Sequence, residues 1–433
     1  MIAALLFVLF MGLMLVGVPV GVALAAAGTV AIGLANFDVQ WWGLLAVPQN
    51  FYASLAKYPL LAVPMFVLVG SIFDRSGVAQ RLVNFAVSIV GRGPGMLPLV
   101  AIAVAIFLGG ISGSGPANAA AVGGVMIAAM ARAGYPRAFS ASVVAGGAAT
   151  DILIPPSVAF IIYSILVPQA TVPALFAAGM FPGLIAGLAL MVPAVWLARK
   201  HGMGALERDL PRPPFWRSLA EASWGLAAPV LILGGMRLGW FTPTEAAVVA
   251  VFYGLFIGMV IHRSIGVRDL YIIFREAAEL SAVILMVVAL AGVFAWSLST
   301  LSVIDPVVHA IEASGLNEWV IMALIIAILM VLGMFLDGIS IFLIFVPLLL
   351  PIAALFQWDL VWFGVILTMM VAVGQFTPPL AVNLMVACRI ARVPMEHAFP
   401  WVTWLVVAMM AALLVVILWP AVATWLPERL GYL

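Results

Sequence analysis

Two proline pairs mark places where the backbone itself could bind a ligand. One lies in Ile152-Leu-Ile-Pro-Pro-Ser157 and the other in Gln375-Phe-Thr-Pro-Pro-Leu380, and the two pairs are 223 residues apart. Proline lacks a backbone N–H group, and its ring clashes with the preceding helical turn. A proline pair therefore opens a helix and frees carbonyl oxygens, which are costly to bury in an apolar environment without a partner. Desolvated cations are the obvious partners for such oxygens.

A break rich in small residues precedes each proline pair. The two breaks read Leu108-Gly-Gly-Ile-Ser-Gly-Ser-Gly-Pro116 and Leu332-Gly-Met-Phe-Leu-Asp-Gly-Ile-Ser340. Gly109 precedes Pro155 by 46 residues, and Gly333 precedes Pro378 by 45 residues. This shared order and spacing predict a duplicated unit that consists of a hairpin, a helix and a helix unwound at the proline pair. The N-termini of half-helices at such breaks attract anions.

The composition shows which elements must position these breaks. Of the 433 residues, 66% are hydrophobic and 8% are charged. A soluble domain has about 25% charged residues, so a soluble enzyme and a disordered chain are excluded. At about 20 apolar residues per crossing, the length allows on the order of a dozen crossings. The net charge of +1 gives no basis for nucleic-acid binding, and the single cysteine, Cys388, excludes a multi-cysteine metal site.

Basic residues divide the chain into two halves. The segments 199–217 and 262–275 are the richest in Lys and Arg, so the positive-inside rule places both in the cytoplasm. We predict a first half at 1–198, a cytoplasmic basic loop at 199–221 and a second half at 222–433. In the first half we expect a re-entrant hairpin near 109–131 and an unwound helix near 151–157. In the second half we expect a hairpin near 333–356 and an unwound helix near 374–380.

Motifs along nearly the whole chain resemble those of one transporter family. They are GVPVGVALAAAG (17–28), VPMFVLVGSIFDRSG (63–77), GGISGSGPANAAAVGGVMI (109–127), LIPPSVAFIIY (153–163), GMFLDG (333–338) and GQFTPP (374–379). Together they resemble the large, DctM-like membrane subunit of tripartite ATP-independent periplasmic (TRAP) transporters. Two residues depart from the family pattern, because Asp151 and Ala381 stand where many members have glycine. We expect Asp151 to alter the ligand set of its break and Ala381 only to tighten packing.

The resemblance implies a fold and a function. It implies an all-α polytopic membrane protein of the elevator type, similar to the ion-transporter superfamily, with inverted repeats, two re-entrant hairpins and two helices unwound at Pro-Pro. It also implies a multi-pass permease of the bacterial inner membrane that imports a small carboxylate. The implied coupling ion is sodium, with no other cofactor. The implied partners are a small TRAP membrane subunit and a periplasmic substrate-binding protein that delivers the acid.

Oxygen-bearing residues at the two breaks are the candidates for binding sodium. The first set is Ser112, Ser114, Asp151 and Pro155, and the second set is Gly333, Asp337, Gly374 and Thr377. Intramembrane carboxylates are costly and therefore indicate function by default. Other interpretations stay open at this point. The small residues could serve close helix packing, Asp151 could carry a proton or pair with a buried arginine, and Asp337 could face the aqueous side of a hairpin tip.

Four polar residues near the breaks are candidates for contacting the substrate. They are Asn118, Ser157, Ser340 and Asn383. Asn118 follows Ser114 by four residues and so shares its helical face. Its amide could hydrogen-bond a carboxylate or join two helices.

Three other functions compete with sodium-coupled import. A proton-coupled carboxylate transporter would work through Asp151, and a channel could be lined by the two broken helices. An intramembrane enzyme could use Asp151 and Asp337 as a carboxylate pair, but no nucleophile or water-activating motif accompanies them. We therefore expect a transporter and not an enzyme.

Overall fold

The computed structural model of the chain describes residues 2–35, 42–91, 93–209, 212–334, 336 and 338–433, and all regular elements in these ranges are helical. The helices are α1 (Ile2–Leu15), α2 (Val20–Ala35), α3 (Trp42–Leu55), α4 (Ala62–Arg75), α5 (Val78–Ile89), α6 (Met96–Ser112), α7 (Gly115–Arg132), α8 (Arg137–Ala149), α9 (Val158–Leu166), α10 (Val172–Lys200), α11 (Phe215–Arg237), α12 (Pro243–Leu255), α13 (Val267–Thr300), α14 (Asp305–Ser314), α15 (Glu318–Gly333), α16 (Gly338–Leu355), α17 (Leu360–Gly374), α18 (Val382–Ala391), α19 (Phe399–Leu418) and α20 (Ala421–Leu430). Short 3₁₀ turns cover Tyr58–Leu61, Asp151–Leu153, Ala205–Asp209 and Met395–Ala398, and a π-helical turn covers Phe256–Ile261.

Seven of the helical segments in the described ranges are long and apolar enough to cross a membrane. They are Tyr58–Arg75, Val172–Lys200, Phe215–Arg237, Pro243–Ile261, Val267–Thr300, Gly338–Leu355 and Met395–Leu418. An eighth is a pair, Arg137–Leu153 with Val158–Leu166, that bends by 41° at its break. These spans confirm the prediction of an all-α polytopic membrane protein. Other apolar helices of 10–17 residues are too short to cross alone, so part of the apolar sequence is not used for full crossings.

Two helices lie at the centre of the molecule. In α8 every residue from Phe139 to Ala149 is buried, and in α17 every residue from Val361 to Gly374 is buried. A helix that is buried on all sides must be apolar on all sides, which matches the small and aliphatic composition of both. Each of these helices leads directly into one proline pair, so the two breaks are held from within the core.

The linker between the halves is shorter than the sequence analysis predicted. The helix α10 continues through Arg199 and Lys200, and α11 begins at Phe215, so both ends of the predicted loop 199–221 are helical. The reason at the second end is Pro214, which is the N-cap of α11. A proline at this position does not end a helix, because the N–H groups of the first helical turn have no acceptor within the helix.

Glu207 anchors this linker to the base of the first hairpin. Its carboxylate accepts hydrogen bonds from the Leu97 backbone N–H at 3.0 Å and from the Tyr135 hydroxyl at 2.5 Å. The Tyr135 hydroxyl oxygen in turn accepts a hydrogen bond from the Gly95 N–H at 2.7 Å. Burial raises the pKa of the Glu207 carboxyl above its usual range, although these hydrogen bonds and Arg212 oppose the change. The linker thereby fixes the start of α6 and the turn between α7 and α8.

Candidate functional site

The first hairpin has a tip of two residues. The helix α6 ends at Ser112, Gly113 adopts the left-handed conformation with φ 61°, and Ser114 is extended before α7 begins at Gly115. Gly109 lies inside α6, so the turn comes later than the start of the predicted hairpin at 109. A Cβ atom at Gly113 would lie 2.9 Å from the Pro156 carbonyl oxygen. Only glycine therefore allows the hairpin tip to rest on the first proline pair.

Asp151 lies beneath this tip with one carboxylate oxygen satisfied and one not. It is fully buried, and its Oδ2 atom accepts a hydrogen bond from the Ser112 hydroxyl at 3.0 Å. Its Oδ1 atom is buried without a hydrogen-bond partner. No ion pair within the described part of the chain involves Asp151, so the structure gives no support to pairing with a buried arginine. A buried carboxylate oxygen without a partner needs a proton or a cation.

The first broken helix runs from this aspartate to α9. The 3₁₀ turn Asp151–Leu153 follows α8, and Pro155 and Pro156 come before the N-cap Ser157. A Cβ atom at Gly110 would lie 3.3 Å from the Pro155 carbonyl oxygen, so that carbonyl faces α6. The Ser157 hydroxyl donates to the Ile152 carbonyl at 2.6 Å. Ser157 thus shapes the break in this structure.

The second break brings two glycines together. A Cβ atom at Gly374 would lie 2.6 Å from the Gly333 carbonyl oxygen, so the end of α15 touches the end of α17 through backbone atoms. The buried Thr377 hydroxyl donates to the Val373 carbonyl at 2.6 Å. Asp337, the fourth candidate of this set, lies outside the described residues.

The two breaks correspond residue by residue. Asp151 precedes its proline pair by four residues, and Gly374 precedes its own pair by four. Gly109 packs on Asp151, with a Cβ atom at 109 falling 2.9 Å from the Asp151 Cα, just as Gly333 packs on Gly374. The first break therefore carries a carboxylate at the position where the second break has a hydrogen atom.

Ala381 gives the second break a strained end. It is the N-cap of α18 and adopts the left-handed conformation with φ 44° and ψ 72°. An L-residue with a Cβ atom is disfavoured in this conformation, whereas glycine is not. The expectation that Ala381 only tightens packing leaves out this backbone cost, and the contribution of its buried methyl group stays a prediction.

The two asparagines lie buried beside the first tip. The Asn118 Nδ2 atom donates to the Ala105 carbonyl at 2.8 Å, and the Asn383 Nδ2 atom donates to Gln375 Oε1 at 3.3 Å. Both Oδ1 atoms are buried without a hydrogen-bond partner. A Cβ atom at Gly115 would meet Gln375 Oε1 at 2.5 Å and the Asn383 amide within 2.9 Å. The second half therefore contributes polar groups directly to the first hairpin tip.

A cavity of about 340 Å³ lies between the two breaks. Its walls include the first tip (Gly113 and Ser114) with the start of α7 (Gly115 and Pro116), the start of α9 and the start of α16, where Ser340 lies. Three helices thus begin at the cavity wall, namely α7 at Gly115, α9 at Val158 and α16 at Gly338. Backbone N–H groups and the positive ends of helix dipoles favour an anion at such a place.

Three features of the site were not identified from the sequence. Gln375 lines the cavity although only its neighbours were proposed, and one face of α13 forms a further wall. Asp74, in the last turn of α4, lies one helical turn after Gly70, which packs on Ser112, the hydrogen-bond partner of Asp151. Asp74 precedes Arg75, and this pair looks like an ordinary charged helix end. Its relation to the site follows only from the packing of α4, where a Cβ atom at Gly70 would lie 3.1 Å from the Ser112 carbonyl oxygen.

Comparison with known proteins identifies the family. The model of the family described as "Tripartite ATP-independent periplasmic transporter, DctM component" matches residues 7–422. The chain belongs to this family. The C4-dicarboxylate TRAP transporter large permease protein DctM of Pseudomonas aeruginosa is 34% identical over 386 residues, which cover 88% of this chain and 89% of the relative. These matches confirm the resemblance drawn from the motifs.

Two further comparisons give the sequence coverage and the fold similarity of this DctM-family chain to known proteins. The isethionate TRAP transporter permease protein DctMQ of Oleidesulfovibrio alaskensis is 36% identical over 419 residues, and this chain spans 65% of its length. The crystal structure of the YdaH transporter of Alcanivorax borkumensis matches with a TM-score of 0.60 at 14% identity, covering 87% of this chain and 89% of that chain. This likeness shows a fold shared with a transporter.

Proposed function

We propose that this chain is the permease subunit of a tripartite secondary transporter that imports a small organic acid together with sodium ions. The observation that carries the proposal is the juxtaposition of the cavity with Asp151. Helix N-termini that favour an anion border the cavity, and an unpartnered carboxylate oxygen lies beneath its first tip. A site that binds an anion and a cation side by side suits symport, because the two charges lower the cost of each other's burial.

The organic anion would bind at the cavity through backbone N–H groups. Family relatives carry the names of a C4-dicarboxylate transporter and an isethionate transporter, and both of those compounds are organic anions. The Asn118 and Asn383 amides and the polar Ser340 lie at or near the same wall and would orient the substrate. In this proposal Ser157 acts indirectly, because its hydroxyl holds the Ile152 carbonyl.

Sodium would bind at both breaks. At the first break the ligands would be Asp151 Oδ1, the hydroxyl oxygens of Ser112 and Ser114, and the Pro155 carbonyl. At the second break they would be backbone carbonyls of Gly333 and Gly374 and the Thr377 hydroxyl, with Asp337 as a further ligand. Carboxylate, hydroxyl and carbonyl oxygens are the ligands that suit a hard cation.

The proposed cycle is of the elevator type in the bacterial inner membrane. The unit that moves would contain both hairpins and both broken helices, since these surround the cavity. The apolar face of α13 would form the wall past which this unit moves. A periplasmic binding protein would deliver the acid, and a small membrane subunit would complete the permease.

Uptake into proteoliposomes tests this function. The chain and its small subunit are reconstituted, the binding protein loaded with a labelled acid is added outside, and an inward sodium gradient is compared with an equal potassium gradient. We expect saturable uptake that requires sodium and the binding protein. Conductance without saturation would indicate a channel and would contradict the proposal.

Proton coupling through Asp151 is the second candidate, because a proton on Oδ1 would also satisfy the unpartnered oxygen. The two candidates are separated by the same experiment with a pH gradient in potassium. Equal uptake in sodium and potassium, driven by the pH gradient and lost in Asp151→Asn, would replace sodium with protons. Asp305→Asn, at the exposed start of α14, is the matched control and should behave like the wild type.

A further inference from the structure

The wall that α13 contributes to the cavity is a continuous apolar stripe. Leu280, Val283, Ile284 and Val287 all line the cavity. Their spacing of three, four and seven residues from the first places them on one face of the helix. Leu280 is 46% exposed and Val283 is 60% exposed, so their side chains are available to a ligand.

The other walls are also apolar away from the hairpin tips. Val67 of α4, Ile152 of the first break and Val371 of α17 face the same space. The polar side chains among the lining residues are Ser114, Ser340 and Gln375. These three belong to the tips and the second break, so the polar part of the cavity is concentrated there and α13 presents only hydrocarbon.

Among the described residues that line the cavity, no cationic side chain is available to neutralise a second negative charge. None of its described lining residues is Lys, Arg or His. Asp151, the ionisable group beneath the first tip, is acidic. Arg75, at the end of α4, is already paired with Glu276 of α13 at 2.8 Å, so it offers no free positive charge to the cavity. A second carboxylate directed at the α13 stripe would be desolvated without a counter-charge, which is strongly unfavourable.

We propose that the cavity selects a monocarboxylate with an aliphatic body over dicarboxylates and over acids that carry many hydroxyl groups. The carboxylate head is held by the backbone N–H groups at the hairpin tips, and the aliphatic body packs on the α13 stripe. This inference rests on the proposed function, because it names the substrate class of the same site. A volume of about 340 Å³ lies at the lower end of the range for small-molecule sites, which suits a small acid.

Binding to the permease itself tests this selectivity without the filter of the binding protein. The chain is purified with its small subunit in nanodiscs, and competition against a labelled acid is measured for acetate, butyrate and hexanoate in sodium chloride. We expect the affinity to rise about fourfold for each added methylene group, the factor for burying one CH₂ group. Succinate and gluconate should bind more weakly than hexanoate. Tighter binding of either, or an affinity independent of chain length, would overturn the inference.

A pair of matched variants assigns the selectivity to α13. Val283→Thr replaces a methyl group by a hydroxyl group of the same size, so it should reduce the ratio of hexanoate to acetate affinity to below about half of the wild-type ratio. Val230→Thr makes the same change on α11, at a side chain that is 71% exposed and does not line the cavity, and should leave the ratio unchanged. An equal effect of both variants would show that hexanoate partitions into lipid, and would overturn the assignment.

The binding results separate a wrong substrate class from a wrong proposed function. If succinate or gluconate binds well and sodium is still required, the proposed function stands and the substrate class is wrong. If no acid of the series binds in sodium, both are wrong.

Discussion

At each broken helix a glycine packs on the residue four positions before the proline pair, but the chemistry of that residue differs between the two breaks. At the first break Gly109 packs on Asp151, and a carboxylate group with one unpartnered oxygen occupies the core. At the second break Gly333 packs on Gly374, and only backbone atoms meet. The first break therefore supplies a full negative charge, whereas the second supplies only carbonyl dipoles. If both breaks bind sodium as proposed, uptake should be sensitive to a loss of charge at the first break and to added side-chain volume at the second.

The largest expected effect comes from filling the second break. Gly374→Ala places a methyl group 2.6 Å from the Gly333 carbonyl oxygen, so backbone must move. Overpacking costs about 1–3 kcal/mol, and the upper end corresponds to about a hundredfold loss of sodium-driven uptake. Gly234→Ala, on α11 with nothing within 4 Å, is the control and should keep full uptake. Normal uptake by Gly374→Ala would show that the two glycines do not need to touch.

A smaller effect is expected when the partner of Asp151 is removed at the first break. Ser112→Ala removes the hydroxyl hydrogen bond to the buried carboxylate, which costs about 1–3 kcal/mol. We expect weaker sodium dependence of uptake and lower thermal stability in detergent, with recovery in Ser112→Thr. Ser223→Ala serves as the control, because the Ser223 hydroxyl donates to the Ala220 backbone carbonyl at an exposed position and touches no carboxylate. Equal behaviour of the two alanine variants would contradict the role given to Ser112.

Relief of the strained end of the second break should stabilise the protein. Ala381→Gly removes the Cβ atom from a left-handed residue, and the expected gain is about 1 kcal/mol. The melting temperature should rise by a few degrees at most. Gln357→Gly is the comparison variant, because Gln357 also has a positive φ of 53° but lies in the turn before α17, and its melting temperature should rise by a similar amount. A fall in melting temperature for Ala381→Gly alone would show that its methyl group stabilises the break by packing.

The smallest effect concerns the anchor at the base of the first hairpin. Because burial raises the pKa of Glu207 in the folded protein, its contribution to stability is greatest at low pH and is lost as the pH rises through that raised pKa. Glu207→Gln removes the titration, and its amide oxygen can accept only one of the two hydrogen bonds, which adds a cost that does not depend on pH. Relative to the wild type it should therefore become more stable with rising pH, by less than about 1 kcal/mol. Melting temperatures between pH 5 and pH 9 measure this, and a difference that is constant with pH would contradict the assignment.

The main features of the fold could be predicted from the sequence alone. Proline pairs and glycine breaks change helix geometry locally, so their positions could be identified from the sequence. That their matched spacing marks a duplicated unit stays a prediction. The contact of Gly333 with Gly374 follows from the same logic, because both residues lack a side chain. The roles of these residues in ion and substrate binding stay predictions.

Other features depended on packing between distant segments and could not be read from the sequence. The α13 stripe has the composition of any lipid-facing helix, and only the fold turns it toward the cavity. Glu207 sits in a basic, proline-rich linker that looks solvated, yet it is buried on Leu97 and Tyr135. Its burial depends on contacts with residues more than seventy positions away, as shown by the separation from Tyr135 of 72 residues.

The most direct test of the central claim is sodium binding to wild type and to Asp151→Asn. Radioactive sodium is titrated onto the purified permease in nanodiscs, with Asp305→Asn as the control. The account predicts that Asp151→Asn weakens sodium binding at the first break by about tenfold or more, roughly 1.4 kcal/mol for the lost charge, while binding at the second break persists. Sodium binding by Asp151→Asn that is indistinguishable from the wild type would contradict the claim that the first break holds its cation through a carboxylate.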